Sequence, residues 1–170
     1  MPSWQIALSA RLARFIKPRV MGTTVELDDL RRQYDYMTER YGALASDAII
    51  ERAQLGPVKG EWLRVDETQP QRLILYLHGG GYICGSPETH RPLIARLCKT
   101  AGAAALSLAY RLAPEFPFPA GLRDSMDAYR FLVNKGFPPQ SIVLAGDGSG
   151  GGLAFATLLA IRNAGLPMPA

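Results

Sequence analysis

From residue 72 onward, short apolar runs alternate with amphipathic stretches, and this alternation restricts the fold more than any other feature of the chain. Leu73-Ile74-Leu75-Tyr76-Leu77, residues 103–109 and Ser141-Ile142-Val143-Leu144-Ala145 are nearly continuous apolar runs, the pattern of strands buried on both faces. After the first run, Ser86-Pro87-Glu88 supplies a hydroxyl cap, a first-turn proline and an acid at the positive end of a helix. Leu93, Ile94, Leu97 and Cys98 are expected to form the buried stripe of that helix, and Gly102 its stop. A second helix is predicted over 120–135, with Leu122, Met126, Tyr129 and Val133 inward and Gly136 ending it. A third, apolar nearly all round, is predicted over 152–164, as befits a helix buried on all sides. Such alternation predicts an α/β fold: a mostly parallel sheet with helices on both faces.

The preceding residues have a different texture. Residues 1–45 read as helical, with Ile6, Leu12, Phe15 and Ile16 near helical spacing, and Leu27, Leu30, Tyr34, Met37 and Tyr41 more clearly so before Gly42. Ile49-Ile50 and Trp62-Leu63-Arg64-Val65 read as short strands, punctuated by Gly56-Pro57 and Gly60. Arg11, Arg14, Lys17 and Arg19 form the densest basic group, with no acid until Glu26, a faint likeness to a transit peptide. An amphipathic lid helix is the preferred reading.

Composition removes several classes. With 48% hydrophobic residues the 170-residue chain has enough apolar surface to fold as one unit, so disorder is excluded. No apolar run reaches the ~18 residues of a membrane span. The net charge of +4 is scattered among acids rather than gathered on one face, which argues against a nucleic-acid partner. Cys84 and Cys98 form neither a disulfide scaffold nor a metal-ligand spacing, so a reducing, cytoplasmic setting without metal is expected.

Two glycine-rich loops follow strands, and in a parallel sheet such loops lie at the carboxyl edge, where ligands bind. The first is His78-Gly79-Gly80-Gly81-Tyr82. Three successive glycines leave N–H groups unshielded by any Cβ, as the holding of an oxyanion requires. His78 by itself reads as a buried structural histidine, and His90 falls early in a surface helix. The second loop, residues 146–152, allows two readings. Gly146, Gly148 and Gly151 spell a dinucleotide-binding pattern, which also wants an acid ~20 residues further on. No Asp, Glu or His follows Asp147. The other reading is a nucleophile elbow, a sharp strand-to-helix turn that holds a reactive side chain over the sheet edge.

Between the loops stands Tyr110-Arg111-Leu112-Ala113-Pro114-Glu115, followed by Phe116-Pro117-Phe118-Pro119-Ala120. These three motifs, in this order over about residues 60–165, resemble the hormone-sensitive-lipase family of α/β-hydrolases, the microbial carboxylesterases. The resemblance implies an α/β-hydrolase fold, incomplete at its C-terminal side, with residues 1–45 as a helical lid and 46–170 as the N-terminal half of the hydrolase domain. It implies oxyanion amides at Gly80, Gly81 and Ser149, with His78 and Asp147 in support. The family's elbow reads Gly-Asp-Ser-Ala-Gly-Gly, which places the nucleophile at Gly148, where this chain has no side chain to react. Ser149 is the lesser candidate as a substitute nucleophile.

The order of a triad in this fold is nucleophile, acid, histidine. With none of these groups after Asp147, the chain lacks the acid and the base and is expected to be inactive alone. The function implied is hydrolysis of short to medium acyl esters through an acyl-enzyme, with a small-molecule ester as substrate and no cofactor. A second polypeptide or C-terminal half is expected to cover residues 141–164, and a neighbouring copy in a homo-oligomer is the other candidate cover. The alternatives are a catalytically dead, receptor-like binder of small molecules and, more remotely, a dinucleotide-binding fragment.

Overall fold

The computed structural model of the chain describes residues 26–41, 47–65 and 69–170. Helix α1 spans Leu27–Tyr41, followed by strands β1 (Ala48–Leu55), β2 (Val58–Val65) and β3 (Gln69–Leu77). Then come helix α2 (Pro87–Ala101), strand β4 (Ala103–Ala109), helix α3 (Ala120–Asn134), strand β5 (Ile142–Gly146) and helix α4 (Gly148–Asn163). The five strands form one sheet in the order β1-β2-β4-β3-β5. β1 and β2 pair as an antiparallel hairpin, β2 pairs antiparallel with β4, and β4, β3 and β5 run parallel. The fold is thus α/β with a mixed, partly parallel sheet. The two short strands expected at 49–50 and 62–65 are eight residues each, because their cross-strand register runs unbroken from Ala48↔Val65 to Leu55↔Val58.

Period-two alternation in β3 divides its apolar run between two cores. Leu73, Leu75 and Leu77 join Met126, Tyr129, Leu132, Leu153 and Ile161 of α3 and α4. Ile74 and Tyr76 join Ile94, Ala95 and Cys98 of α2 on the opposite face. A strand covered on both sides must read apolar throughout, which is why the periodicity of this run is invisible in the sequence.

Helix α2 starts at the expected cap. Ser86 Oγ accepts from the Thr89 amide, Thr89 Oγ1 accepts from the Ser86 amide, and left-handed Gly102 ends the helix. Its buried stripe differs from expectation. Leu93 and Leu97 are exposed, and the inward row is Pro87, His90, Ile94, Ala95 and Cys98. At ~100° per residue, positions 90, 94 and 98 lie along one ridge, and the two leucines lie on its solvent flank. In α3, likewise, Leu122 and Val133 are only partly buried, while Asp124, Ser125, Ala128 and Leu132 sit deeper with Met126 and Tyr129.

The last strand and helix also depart from expectation. β5 is the edge strand of this sheet, so Ile142 is fully buried but Val143 is 45% exposed. Helix α4 begins at Gly148, four residues ahead of its predicted start, because Ser149, Gly150 and Gly151 complete its first turn rather than a loop. It buries Leu153, Ala154, Thr157 and Ile161, while Phe155 and Leu159 face outward with no covering element among the described residues. Of the predicted 1–45 lid, helix α1 is present; Ile6, Leu12, Phe15, Ile16 and the basic group at 11–19 lie outside the described residues.

Candidate active site

β3 and β5 are hydrogen-bonded neighbours whose register closes on Leu77↔Gly146. The two glycine loops therefore leave the sheet side by side from its carboxyl edge, as parallel α/β sheets present their ligand sites. At the junction the backbones touch. A Cβ at Gly146 would stand 2.5 Å from the Leu77 carbonyl oxygen, and one at Gly150 would overlap the Leu77 and His78 carbonyls. Small residues on either side of the turn are a packing requirement.

The turn itself is sharp. Asp147 is extended (φ −114°, ψ 154°), and the next residue, Gly148, is left-handed at φ +50° and already starts α4. A Cβ built on Gly148 meets no atom within 4 Å. The position therefore has room for a side chain projecting outward, and its backbone is the one sterically strained for anything but glycine. Ser149 behaves oppositely: its Oγ is buried, on the side of the Tyr110 hydroxyl. The structure thus sets the two elbow candidates apart, residue 148 at the surface and the Ser149 hydroxyl inside.

The first loop presents amides. Gly80 and Gly81 have φ of +123° and +64°, and Tyr82 continues the left-handed run at +65°. Gly80 turns its carbonyl back to accept from the amides of Ile83 and Cys84. No hydrogen bond occupies the Gly80, Gly81 or Ser149 amides among the described residues. Unengaged N–H groups are the kind of donor that negative charge attracts.

His78 is 1% exposed, stacks on Tyr110 with ring centroids 4.3 Å apart, and donates from Nδ1 to Gly79 O at 2.8 Å. Burial holds its pKa down at about 4, so the ring is neutral at physiological pH. The Tyr110 hydroxyl donates to His78 O at 2.7 Å, and burial raises its own pKa. Asp147 Oδ1 accepts from the Tyr76 hydroxyl (2.8 Å) and the Gly79 amide (3.0 Å) and lies 3.3 Å from His90 Nε2. Burial works to raise the Asp147 pKa, but Tyr76, His90 and the Gly79 amide outweigh it and hold the carboxylate below its ordinary value.

The segment between the loops braces them. Arg111 donates from its backbone amide and guanidinium to buried Asp124, and the Ala113 amide donates to Tyr82 O. Arg31 of α1 reaches across to donate to Ile83 O (2.8 Å), to Ala113 O (3.2 Å) and to both oxygens of Glu115 (2.7 and 2.8 Å). Its hydrogen bond to Glu115 holds that carboxyl down at about 2. A cavity of about 390 Å³ opens beside Gly81, lined by Tyr82, Tyr110, Phe116, Phe118 and Leu153.

Sequence reasoning brought Gly80, Gly81, Asp147, Gly148, Ser149 and His78 to this edge of the sheet, and all six lie there. It missed Tyr76, Arg31 and Glu115, and it set His90 on a surface helix. His90 is instead 6% exposed and faces Asp147. The ridge spacing 90, 94, 98 is the local signal that marks it as inward. Among the described residues there is no group of three side chains able to hold a metal ion, and no helix is long and apolar enough to cross a membrane.

A mixed sheet whose parallel strand β5 turns through left-handed Gly148 into a helix, beside a loop of open amides, is the arrangement of an α/β hydrolase. Residues 74–170 match the family described as alpha/beta hydrolase fold. An acetyl-hydrolase of Streptomyces hygroscopicus is 45% identical over 148 residues, covering 85% of this chain and 48% of that protein. An ethyl acetate hydrolase of Pseudomonas putida is 34% identical over 149 residues, covering 80% and 46% respectively. The crystal structure of an esterase from the bacterial hormone-sensitive lipase family superposes with a TM-score of 0.85 at 41% identity, covering 94% of this chain and 54% of that one. The chain belongs to the α/β-hydrolase family, in its hormone-sensitive-lipase-like branch. It spans about half the length of these relatives.

Proposed function

We propose that this chain carries the oxyanion-binding half of a carboxylic ester hydrolase that works through an acyl-enzyme. Residue 148 is the nucleophile position, and the amides of Gly80, Gly81 and Ser149 receive the oxyanion. The observation that carries the reading is the open, left-handed Gly148 beside three unoccupied amides. A serine there would attack an ester carbonyl, and the negative charge developing on its oxygen would fall to donors already oriented for it. With glycine in place, that step has no attacking atom, so the chain as it stands is inactive. The names of its relatives, an acetyl-hydrolase and an ethyl acetate hydrolase, favour short acyl esters as substrates. The aromatic cavity beside Gly81 suits the apolar part of such a molecule.

His78 and Asp147 are support rather than proton carriers in this reading, and Ser149 contributes its amide rather than its buried hydroxyl. The acid and histidine of the triad come from polypeptide that also covers β5 and α4, whose Val143, Phe155 and Leu159 stand exposed. Helix α1, clamped by Arg31 to both the first loop and Glu115, is the part of the lid that borders the site. No cofactor enters the mechanism, and a cytoplasmic setting is proposed from the two unpaired cysteines.

Gly148 itself favours one second reading, a binder that holds small molecules without turning them over. The dinucleotide reading rests on the spacing of Gly146, Gly148 and Gly151 alone. The deciding experiment introduces Gly148→Ser into the protein together with the polypeptide that completes its sheet, with p-nitrophenyl acetate as substrate. The expected result is a burst of p-nitrophenol equal to the enzyme concentration, followed by turnover. Ligand-dependent thermal stabilisation with no burst would overturn the hydrolase reading and leave the binder.

A further inference from the structure

We propose that Asp147, His90 and Tyr76 form a latch that sets the spacing between the oxyanion loop and the elbow, each acting as a positioning residue. The kinetic consequence rests on the ester-hydrolase reading; the geometry does not. One carboxylate oxygen, Asp147 Oδ1, faces Tyr76 from β3, the Gly79 amide from the first loop and His90 from α2. An ionised carboxylate only accepts, so each partner brings a hydrogen, and His90 must carry one on Nε2. On its far side, His90 Nδ1 lies 2.8 Å from Thr89 Oγ1 and 3.2 Å from Ser86 O, the residues that cap α2. The ring is also flanked by Tyr34 of α1, at 6.3 Å between centroids. The latch is therefore anchored to a helix end rather than to a mobile side chain.

Position in the chain gives this arrangement its leverage. Gly79 directly precedes Gly80, with Gly81 next, and Asp147 directly precedes residue 148, with Ser149 next. The proposed oxyanion amides and the proposed nucleophile position thus all lie within two residues of groups tied to the same carboxylate. A shift of Asp147 alters their separation at once, and misplacement of about 1 Å in a reacting geometry is worth on the order of 10²-fold in rate.

The test uses two substitutions at His90 that separate hydrogen bonding from packing. His90→Phe keeps a ring and loses the hydrogen; His90→Gln keeps an N–H donor and loses the ring. In isotope-labelled protein, His90→Phe is expected to move the Gly79 amide resonance and speed its exchange about tenfold, because the carboxylate that this amide donates to loses its hold on the α2 side. His90→Gln is expected to restore both. In the Gly148→Ser protein, kcat for p-nitrophenyl acetate should fall about tenfold with His90→Phe and recover with His90→Gln, with KM unchanged. Tyr76→Phe, which removes one hydroxyl, gives the same readouts should His90→Phe fail to fold. The reverse pattern, with Phe tolerated and Gln damaging, would make His90 a packing residue and overturn the latch. Ester hydrolysis with Gly79 indifferent to these changes would sink the latch alone. A responsive Gly79 in a protein that hydrolyses no ester would uphold the latch geometry and sink the hydrolase reading instead.

Discussion

The two glycine loops look alike as sequence and are built on opposite terms. In the elbow, Gly150 is glycine because the chain behind it leaves no room: its missing Cβ would occupy the Leu77 and His78 carbonyls. Two residues earlier, Gly148 faces open space and is restricted only by its left-handed backbone. In the first loop the same division recurs between Gly80, pressed against the Cys84 carbonyl, and Gly81, which has only the Ile83 side chain near it, at 3.8 Å. Each loop thus has a glycine hemmed in by backbone, Gly150 by the root of the neighbouring loop and Gly80 by its own turn, and one that faces open space. Glycine serves both ends, and only the surroundings of each one tell them apart.

The comparison breaks most directly at Gly150. Gly150→Ala forces a methyl group into two backbone carbonyls that cannot rotate aside, so the expected loss is about 3 kcal/mol, the upper end of the usual range for overpacking. Urea unfolding reads it, and a loss no larger than that of Gly148→Ala would show that the junction relaxes and that the two glycines are not different in kind.

Much of this architecture is legible in the residues. Continuous apolar runs mark β3, β4 and β5, the Ser86 cap marks the start of α2, and the glycine clusters mark the two loops. The braces between those parts are not. Tyr76 and Asp147 are 71 residues apart, and Arg31 and Glu115 are 84 apart. No local period announces such a pair, because a tyrosine in an apolar strand or an arginine on an amphipathic helix satisfies its own element before it meets its partner. The wrong stripe in α2 has a related origin. Leu93 and Leu97 are more apolar than His90, so a reading by hydrophobicity prefers them. The helix turns His90 inward because Asp147 and Tyr76 offer its ring polar and aromatic company there.

Acid sharpens the contrast between the loops. His78, at the root of the first loop, has its pKa lowered from 6.5 to about 4 by burial. A depressed folded value means the unfolded chain binds the proton more readily, so the stability it reflects is present above pH 6.5 and is lost as pH falls toward 4. The expected loss across that window is about 3 kcal/mol. Asp147, on the elbow side, is held below the ordinary 3.8, so its contribution survives this window and fails only at lower pH. Thermal midpoints between pH 7 and 4 should therefore fall, and His78→Phe, which keeps the stacked ring, should flatten the slope. An unchanged slope would mean that the buried imidazole is not what titrates.

The smallest effect is expected at Gly148, and it is the most informative about what the position is for. Gly148→Ala must hold φ near +50° with a Cβ, at a cost of about 1 kcal/mol, partly offset because alanine also restricts the unfolded chain. No contact is lost and no atom is displaced, so the midpoint in urea should move only slightly. Such tolerance is hard to explain if residue 148 is glycine for the sake of the fold, since the fold would then resist the change as it does at Gly150. It follows directly if the elbow is shaped to present a side chain that this chain does not carry. A loss at Gly148 as large as that at Gly150 would count against the position as a seat for a nucleophile, however open it looks.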